Sequence, residues 1–496
     1  MAQGTDGEAF ATSRQNFEEV VGFLGSSEAG ALSHAELEER LFASGRELLR
    51  QLYQDHLDLR CLVEEPLNDV CDQAGVRRPY VETGHRRALA TVFGDVVVDR
   101  LAYRQKGQAN LHVADAVLNL PTERHSHGLR RLAAIESARG SFEEASEAVE
   151  RATGTSVGKR QVEALAARAA GDVVEFYATR RCPEAAGDDV LVISADGKGI
   201  VMRPDSLRPA TAKAAAEATT KLDCRLSKGE KRNRKRLAEV GAVYDLTPVE
   251  RTPADVMASN SDQTPAPVAK AKWVTASVID DAASVIAKVF DEAERRDPEH
   301  QRQWVGLVDG NNHQIDRIET EATTRGVEVT VVVDFIHVLE YLWGAAWCFF
   351  AEGEPAAEAW VRDRAVSILE GNARKVAAGI RRRATATRLG KHKRTKADAC
   401  AKYLTNKADY LDYPTALASG WPIASGVIEG ACRYLVADRM DITGARWSVE
   451  GAEAVLKLRA VRANDDFAEY WRFHLDRERN RVHKTRYADG VIPMAA

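Results

Sequence analysis

The sequence predicts an α/β fold flanked by helical regions, and two observations lead to that prediction. Between residues 188 and 350, runs of β-branched residues alternate with helical segments, which is typical of one sheet covered by helices on its faces. Residues 15–75 repeat apolar side chains at steps of three and four, and residues 354–413 are helical in pattern and polar. We therefore expect an α/β core that is preceded and interrupted by helices.

The composition excludes several classes of protein. A net charge of −5 argues against a protein that coats DNA through bulk charge. The seven cysteines include no Cys-x-x-Cys pair, which favours a reducing compartment over a disulfide framework or a thiolate zinc site. The N-terminal segment lacks the features of a secretory signal, and charged residues interrupt the most apolar segment, residues 327–350. We expect a cytoplasmic protein without a membrane anchor.

The order of the elements divides the chain into regions. Residues 1–125 begin with helices and contain a β-hairpin with Gly94 and Asp95 in its turn. Residues 126–184 are helical and contain a helix-turn-helix pattern. The remaining regions are an α/β core at 185–353 with an exposed and partly mobile excursion at 205–272, a helical insertion at 354–415 and the completion of the core at 416–496.

Five strands are expected in the core. They are two short runs within 188–203, followed by 272–280, 303–310 and 327–334. The sequence Asp-Gly-Lys-Gly at residues 196–199 predicts a tight turn between the first two runs. A helix is expected after each of the last three strands.

Acidic residues end three of the expected strands. Asp196 follows VISA, Asp309 follows WVGLV and Asp334 follows VEVTVVV. Because sites in such a layer are assembled at the carboxyl ends of strands, these side chains are expected to converge. Clustered carboxylates repel unless a cation lies among them, and hard oxygen ligands suit Mg²⁺ or Mn²⁺. The pattern predicts metal-assisted chemistry on phosphodiesters, with Glu429 as a fourth carboxylate on a helix that begins near Ser425.

Each of these residues also has a simpler explanation. Asp196 fits an ordinary hairpin turn, and Asp334 fits the N-cap of the next helix. His337 fits a packed helical histidine, and Glu429 fits an exposed helical glutamate. Taken one at a time, these residues do not establish a site.

Four segments together resemble the DDE transposases of bacterial insertion sequences, in particular the ISKra group, distant relatives of the Mutator-type transposases. The segments are SADGKGIVM, LVDGNNHQ, VVDFIHVLEYLW and SGVIEGACRYLVADRMDITGARWSVEGAEAVLKLRA. The resemblance covers roughly residues 85–480, and residues 425–459 are its most specific part. The Asp-x-x-His at Asp334 and His337 matches a motif that Mutator-like enzymes carry between the second Asp and the Glu.

The resemblance implies a fold and a set of site residues. The core would be an RNase H-like mixed sheet, with Asp196 on the first strand, Asp309 just after the fourth and Glu429 on a helix beyond the insertion. These three catalytic residues would hold two Mg²⁺ or Mn²⁺ ions, one activating water or a 3′-hydroxyl and the other stabilising the leaving oxygen. Asp334 is an alternative second acid. Asp309 is preferred because it follows the fourth expected strand, a count that changes if residues 272–280 are not a strand. As accessory residues, Asp334 and His337 would orient the scissile phosphate or brace the ligands.

The resemblance also implies a function and partners. The protein would bind the terminal inverted repeats of an insertion sequence, cut the 3′ ends and join them to target DNA. It would act as a homodimer or higher oligomer in a synaptic complex, associated with the nucleoid. Two alternatives stay open: an inactive or domesticated transposase-derived DNA-binding protein, and an RNase H-like nuclease or resolvase without strand transfer.

The expected DNA contacts fall into three groups. Lys159, Arg160 and Gln161 begin the second helix of the helix-turn-helix pattern, where they would meet base edges, although an ordinary helical hairpin fits the same pattern. Two basic runs, residues 221–236 and 374–396, are suited to phosphates or to a solvated helix face. The candidates within them are Lys231, Arg232, Arg234, Arg381, Arg382 and Arg383. Trp421 and Trp447 flank Glu429, and either stacks on an unpaired base or packs in the core.

Overall fold

The protein was analysed as a computed structural model, which describes residues 9–181, 188–217, 234–258, 264–442 and 444–494. The chain forms two compact units, one of Met1–Ala178 with Asp466–Ala496 and one of Thr179–Asp465. The expected mixture of helices with one main sheet is confirmed. In the described ranges, no helix combines the length and the apolar composition that a membrane crossing requires.

The first unit consists of helices and one hairpin. Its elements up to the second unit are α1 (Ala11–Leu24), α2 (Ser27–Ala31), α3 (His34–Leu62), β1 (Tyr80–Thr91), β2 (Gly94–Arg104), α4 (Val113–Val117), α5 (His127–Arg139), α6 (Phe142–Thr153), α7 (Lys159–Ala169) and α8 (Val173–Thr179). The predicted hairpin is confirmed, but its turn consists of Val92 and Phe93, because Thr91 pairs with Gly94. Gly94 is therefore the first residue of β2 and not part of the turn. Its φ of +127° is a conformation that favours glycine.

The second unit contains the main sheet. Its elements are β3 (Val190–Val201), α9 (Pro209–Glu217), β4 (Lys235–Leu246), α10 (Pro253–Met257), β5 (Ala269–Ser277), α11 (Ala282–Arg296), β6 (Trp304–Val308), α12 (Asn312–Arg325), β7 (Val329–Val333), α13 (Phe335–Ala346), α14 (Pro355–Leu369), α15 (Ala373–Ala386), α16 (Lys391–Asn406), α17 (Tyr413–Ala418), α18 (Gly426–Ala431), a π-helical turn (Cys432–Ala437), α19 (Asp438–Met440) and α20 (Val449–Ala463). The chain then returns to the first unit with α21 (Phe467–Val482). The region of the expected helical insertion, residues 354–415, contains α14 to α16 and the start of α17.

The main sheet is mixed and has the strand order β5-β4-β3-β6-β7. β3, β4 and β5 pair antiparallel, while β6 runs parallel to β3 and β7 runs parallel to β6. The central strand is therefore the first strand of the unit. Its last residues extend beyond the parallel pairing with β6, which ends at the pair of Ser194 with Leu307.

The predicted tight turn at residues 196–199 is wrong. β3 continues through it, because β4 supplies an antiparallel partner for every residue from Val190 to Val201. Gly197 lies inside this strand, where a Cβ atom would come within 2.9 Å of the Leu237 side chain. The glycine thus permits a close approach between neighbouring strands instead of a reversal of the chain.

The predicted excursion at residues 205–272 is also wrong in part. It contains β4, which pairs with both β3 and β5. The local signal was present, because LAEVGAVYDL at residues 237–246 is rich in residues that favour strands. The number of strands before Asp309 is nevertheless unchanged, since the two expected runs at 188–203 form a single strand.

Helices cover both faces of the sheet. A large apolar core fills the space between one face and α13 to α17, and it includes Val190 and Val192 of β3 with Val305 and Leu307 of β6. On the other face α11 packs against β3 and β4. At Gly241 a Cβ atom would lie 2.5 Å from the Val289 side chain, so this glycine lets α11 approach β4 closely. The candidate site lies at the strand ends on the first of these faces.

A buried charge network holds α21 within the first unit. Arg130 of α5 is fully buried, and one of its guanidinium nitrogens lies 2.8 Å from Glu478 and 3.2 Å from the His474 ring. The His474 ring donates to Asp172 at 2.7 Å, and Arg481 donates to the other oxygen of Asp172 at 2.9 Å. These five residues form what we call the Arg130 network. Since each charge is balanced by another, removing one partner leaves a buried charge uncompensated.

Candidate metal centre and nucleic-acid surfaces

The strand register places three aspartates at one edge of the sheet. Asp196 is two residues beyond Ser194, which pairs with Leu307, and Asp309 is two residues beyond Leu307. Asp334 follows the last pair of β6 with β7 by one residue, as does Asp309. Alternation along the strands puts all three on the face that carries the core of α13 to α17. The backbone therefore places the three aspartates at the same edge of the sheet, as expected.

Asp334 is the most buried of these acids, with no exposed surface. Its backbone N–H donates to the Val308 carbonyl at 2.8 Å, which anchors the residue at the end of β6. Its Oδ1 accepts from the Ile336 N–H at 2.7 Å, so Asp334 also caps α13. Its Oδ2 accepts from the Ser425 hydroxyl and lies 3.4 Å from His337 Nδ1. The N-cap explanation is correct, but it accounts for only one of the two carboxylate oxygens.

Glu429 lies beside the second oxygen of Asp334, and Ser425 connects them. The Ser425 Oγ is 3.1 Å from Glu429 Oε1 and also bonds to Asp334 Oδ2. Ser425 stands at the N-cap position of α18, yet its side chain makes no capping bond to the helix backbone. A single hydroxyl proton cannot satisfy two carboxylates at once. The His337 ring, 3.4 Å from Asp334 Oδ2, is the other polar group beside this pair.

Asp334, His337 and Glu429 form the Asp-His-Glu cluster. One ligand atom from each lies within 4.8 Å of the other two, and no other trio of His, Cys, Asp or Glu meets this condition in the described chain. By this distance criterion, Asp196 and Asp309 do not belong to the cluster. Of the two acids considered for the second position, Asp334 is thus the one that reaches Glu429, while the assignment of Asp309 stays a prediction.

The charges within the cluster are strongly coupled. The hydrogen bond and the negative charge of Asp334, together with the charge of Asp309, raise the pKa of His337 to about 9. Burial acts to raise the pKa of Asp334, but hydrogen bonds from His337, Ser425 and the Ile336 N–H outweigh it and hold that pKa below its usual value. At neutral pH His337 is therefore an imidazolium beside two carboxylates. A divalent cation and this proton compete for the same negative charge.

Asp309 and Asp196 follow Asp334 along the edge of the sheet, Asp309 at the end of β6 and Asp196 in β3. Asp309 Oδ1 accepts from the Asn311 N–H at 2.8 Å, and the Tyr403 hydroxyl of α16 donates to the Asp309 carbonyl at 3.0 Å. Asp196 accepts the Cys432 thiol at 3.3 Å. Cys432 comes three residues after Glu429, so Asp196 lies beside the helix that carries Glu429. The insertion thus contacts Asp309, and the helical segment after Glu429 contacts Asp196.

Sequence reasoning missed two features near Glu429. Ser425 was expected only as a helix start, and its spacing of four from Glu429 was the available signal. The π-helical turn at Cys432–Ala437 was not expected at all. The guanidinium group of Arg459 donates to the carbonyls of Tyr434 and, at 2.9 Å, of Leu435 within this turn. Such turns are rare and are frequently found at functional sites.

The cluster fits one divalent cation. Two carboxylates supply hard oxygen ligands of the kind that Mg²⁺ and Mn²⁺ prefer, and an imidazole adds a ligand that suits transition metals. The second predicted ion has no comparable trio in the described residues.

The helix-turn-helix pattern folds as two helices with a short connection. Ser141 and Glu144 form a capping box that starts α6, and Gly154 ends it with a φ of +67°. Lys159, Arg160 and Gln161 begin α7 and are all exposed. Two of these side chains have partners, since Lys159 lies 3.3 Å from Glu143 and the Gln161 side chain accepts from the Gly158 N–H at 3.1 Å. Their exposure is compatible with base contacts.

Replacing Lys159 and Arg160 with Ala is expected to weaken binding to specific DNA more than binding to random duplex. Each base contact that is lost should cost about 1–3 kcal/mol at the cognate site only. Electrophoretic mobility shifts with specific and scrambled duplexes measure the difference. As a matched control, Arg151→Ala removes an exposed arginine of α6 that precedes the turn. A uniform loss on both duplexes would make Lys159 and Arg160 phosphate contacts instead.

The basic candidates differ in their surroundings. Arg381 and Arg382 are exposed on α15, whereas Arg383 lies over the rings of Phe349 and Phe350 at 4.7 and 4.5 Å from their centroids. Arg234 is half-buried, and its carbonyl accepts from the Met202 N–H. Lys231 and Arg232 lie outside the described residues. Arg381 and Arg382 therefore remain the candidates that are open to phosphates, while Arg383 is engaged by aromatic rings.

Trp447 is a core residue. It is 5% exposed, its indole N–H donates to the Met440 carbonyl at 3.1 Å, and the Arg439 guanidinium lies 4.6 Å from its ring centroid. The predicted stacking of this ring on an unpaired base is wrong, because both of its faces are enclosed by protein. Core packing, the alternative for this residue, is what the structure shows.

Comparison with known proteins gives no assignment for this chain. No protein-family model matches it, and no curated protein matches it. The function is therefore argued from the contacts of the site and from the resemblance of the sequence motifs.

Proposed function

We propose that this protein is a DDE transposase with an RNase H-like core, which cuts the ends of an insertion sequence and joins them to target DNA. The observation that carries the proposal is the alignment of Asp196, Asp309 and Asp334 on one face and edge of the sheet, next to the helix of Glu429. The strand order supports it, since three antiparallel strands followed by two parallel ones suit the fold that the motifs imply. The helical insertion before Glu429 suits it as well.

In this proposal the side chains have distinct tasks. Asp334 and Glu429 hold the divalent cation, and the Ser425 hydroxyl keeps their two carboxylates in register. When bound, the cation supplies charge stabilisation for the phosphoryl oxygens and activation of the attacking hydroxyl group. His337 is half-buried at the start of α13, where it orients the scissile phosphate by hydrogen bonding. Asp196 completes the acidic edge from the side of Cys432.

A DNA-binding protein without catalysis is the less favoured candidate. Burial of a carboxylate is costly unless its charge is balanced, and Asp334 is completely buried. Its balance depends on His337 and on a hydroxyl that it shares with Glu429. A protein that only bound DNA would gain stability by replacing this arrangement with apolar side chains. Its presence favours a catalytic role.

The experiment that tests the proposal incubates the full chain with labelled DNA fragments that flank its coding sequence. Nicks at a repeat boundary and joined products on a denaturing gel, both dependent on Mg²⁺ or Mn²⁺, are the expected result. Nicks without joined products would favour an RNase H-like nuclease or resolvase. Specific binding with neither product would favour the non-catalytic protein.

Replacing Asp309 and Asp334 separately with Asn is expected to identify the second acid. Asp334→Asn should reduce cleavage by about 100-fold or more, because Asp334 belongs to the cluster that reaches Glu429. Asp309→Asn should have the same effect only if Asp309 moves onto the cation when DNA binds. Initial cleavage rates over a series of Mn²⁺ concentrations measure both variants. Full activity in Asp309→Asn would remove that residue from the catalytic set.

A further inference from the structure

We propose that the exposed aromatic face of α13, together with the basic side of α16, binds unpaired nucleotides of a DNA strand that enters the site. This inference deepens the proposed function and rests on it for the identity of the strand. The face consists of Tyr341 on α13, Trp347 at the C-cap of α13 and Lys396 on α16, and we call it the α13 track. Its ligand is a single-stranded phosphodiester with accessible bases.

The α13 track begins at the Asp-His-Glu cluster. Asp334 caps α13 and His337 lies in its first turn. With a rise of about 1.5 Å per residue, Tyr341 lies about 6 Å and Trp347 about 15 Å along the helix axis from His337. Tyr341 is 37% exposed and Trp347 is 42% exposed. Exposure alone does not distinguish them, since Tyr80 is 66% exposed, but these two rings follow the site along one helix.

Both exposed rings are held in place by a second ring. Tyr341 stacks on Tyr403 of α16, with centroids 4.0 Å apart and an angle of 15° between the planes. Trp347 stacks on Trp343, with centroids 5.2 Å apart and an angle of 27°. Each stack orients the exposed ring before any ligand arrives, which lowers the entropic cost of binding. A flat ring with one supported face is suited to a nucleobase.

The charge beside these rings matches a phosphodiester backbone. Lys396 crosses α13 at Gly344, where a Cβ atom would lie 3.7 Å from the lysine Cδ. Lys391 and Lys393 are exposed on the preceding turn of α16, and the first acid of that helix, Asp398, is paired with Arg394 at 2.8 Å. Glu340 is the acid on the exposed face of α13, and it lies at the end nearest the site. An apolar protein partner would not need this row of lysines.

The rings favour unpaired nucleotides over duplex DNA. In a duplex the faces of the bases are stacked on each other and are closed to protein side chains, whereas an unpaired strand exposes them. Trp447, which sequence reasoning placed in this role, is enclosed in the core. Tyr341 and Trp347 are aromatic residues near the site that are more than a third exposed.

The test measures fluorescence anisotropy of a labelled oligothymidine of about twelve nucleotides, a length within the range of single-strand binding sites. The full chain is used in EDTA, so that neither a cation nor cleavage is involved. Trp347→Ala is expected to weaken binding by about 10-fold or more, and Trp347→Phe to restore most of it. Tyr80→Ala, which removes an exposed aromatic side chain of the first unit, is the matched control and should bind as the wild type does.

A second variant keeps the test independent of the tryptophan. Lys396→Gln is expected to lower the slope of log affinity against log salt concentration by about 0.7, as the loss of one phosphate contact does on single strands. Equal affinity of Trp347→Ala and Tyr80→Ala would overturn the inference. So would the absence of oligothymidine binding by the wild type at low salt, which would leave the α13 track to a protein partner.

These outcomes separate the inference from the proposed function. Loss of oligothymidine binding in Trp347→Ala, without any metal-dependent cleavage by the wild type, would support nucleotide binding by the α13 track and contradict the transposase function. Cleavage and joining by the wild type, with normal oligothymidine binding by Trp347→Ala, would support the transposase function and contradict nucleotide binding by the α13 track.

Discussion

Glu429→Gln is expected to reduce DNA cleavage by about 1,000-fold or more while DNA binding changes little. Glutamine preserves the size of the side chain and leaves an amide oxygen to accept from Ser425. It removes the negative charge that would hold the cation beside Asp334. Loss of several kcal/mol of charge stabilisation in the transition state corresponds to a rate change of this size.

Single-turnover cleavage with Mn²⁺ and binding in EDTA measure the two effects separately. Glu450→Gln is the matched control, because Glu450 is an exposed glutamate in the first turn of a neighbouring helix, α20. Its cleavage rate should equal that of the wild type. Equal loss of binding and cleavage in Glu429→Gln would assign Glu429 to folding, and an unchanged rate would exclude it from the site.

Asp172→Ala is expected to destabilise the first unit by about 3–5 kcal/mol, as the removal of one partner from a buried ion pair does. Asp172 is 5% exposed and accepts from His474 at 2.7 Å and from Arg481 at 2.9 Å. Without it, the fully buried His474 ring loses its acceptor, whereas Arg481 keeps Glu478 at 2.6 Å. We expect the destabilisation to weaken the packing of α21, which carries both His474 and Arg481.

Urea unfolding of the full chain, followed by circular dichroism, measures this loss. Asp476→Ala is the control, since Asp476 is an exposed aspartate on the same helix, and its effect should stay within about 0.5 kcal/mol. An equally small effect of Asp172→Ala would show that the Arg130 network contributes nothing to stability.

The same network predicts a sensitivity to acid. Burial acts to raise the pKa of Asp172, but hydrogen bonds from His474 and Arg481 outweigh it and hold that pKa far below the ordinary value of 3.8. A carboxylate with a depressed pKa in the folded state stabilises the protein above its unfolded pKa, and this contribution is lost as the pH falls further. Wild-type stability should therefore drop below about pH 4 more steeply than that of Asp172→Asn, as measured by unfolding between pH 5 and pH 2.

Local patterns were sufficient for most of the elements that surround the site. The strands that end near Asp309 and Asp334 and the helices of the insertion follow from periodicity, which depends on neighbouring residues alone. The acids at the strand ends were recognised for the same reason. The continuous β3 was not, because Asp-Gly-Lys-Gly favours a turn unless a partner strand is available. That partner, β4, begins more than thirty residues later in the chain, beyond the reach of a local pattern.

The composition of the candidate centre depended on long-range packing. The family resemblance grouped Asp196 and Asp309 with Glu429, whereas the segment before α18, which bonds to the start of α13 through the Phe335 N–H and the Ile423 carbonyl, brought Ser425 and Glu429 to Asp334 and His337. Packing also enclosed Trp447 and left Tyr341 and Trp347 open. A residue type indicates which chemistry a side chain can perform. Which side chains meet is set by the pairing of strands and the burial of helix faces, and these join residues that are distant in the chain.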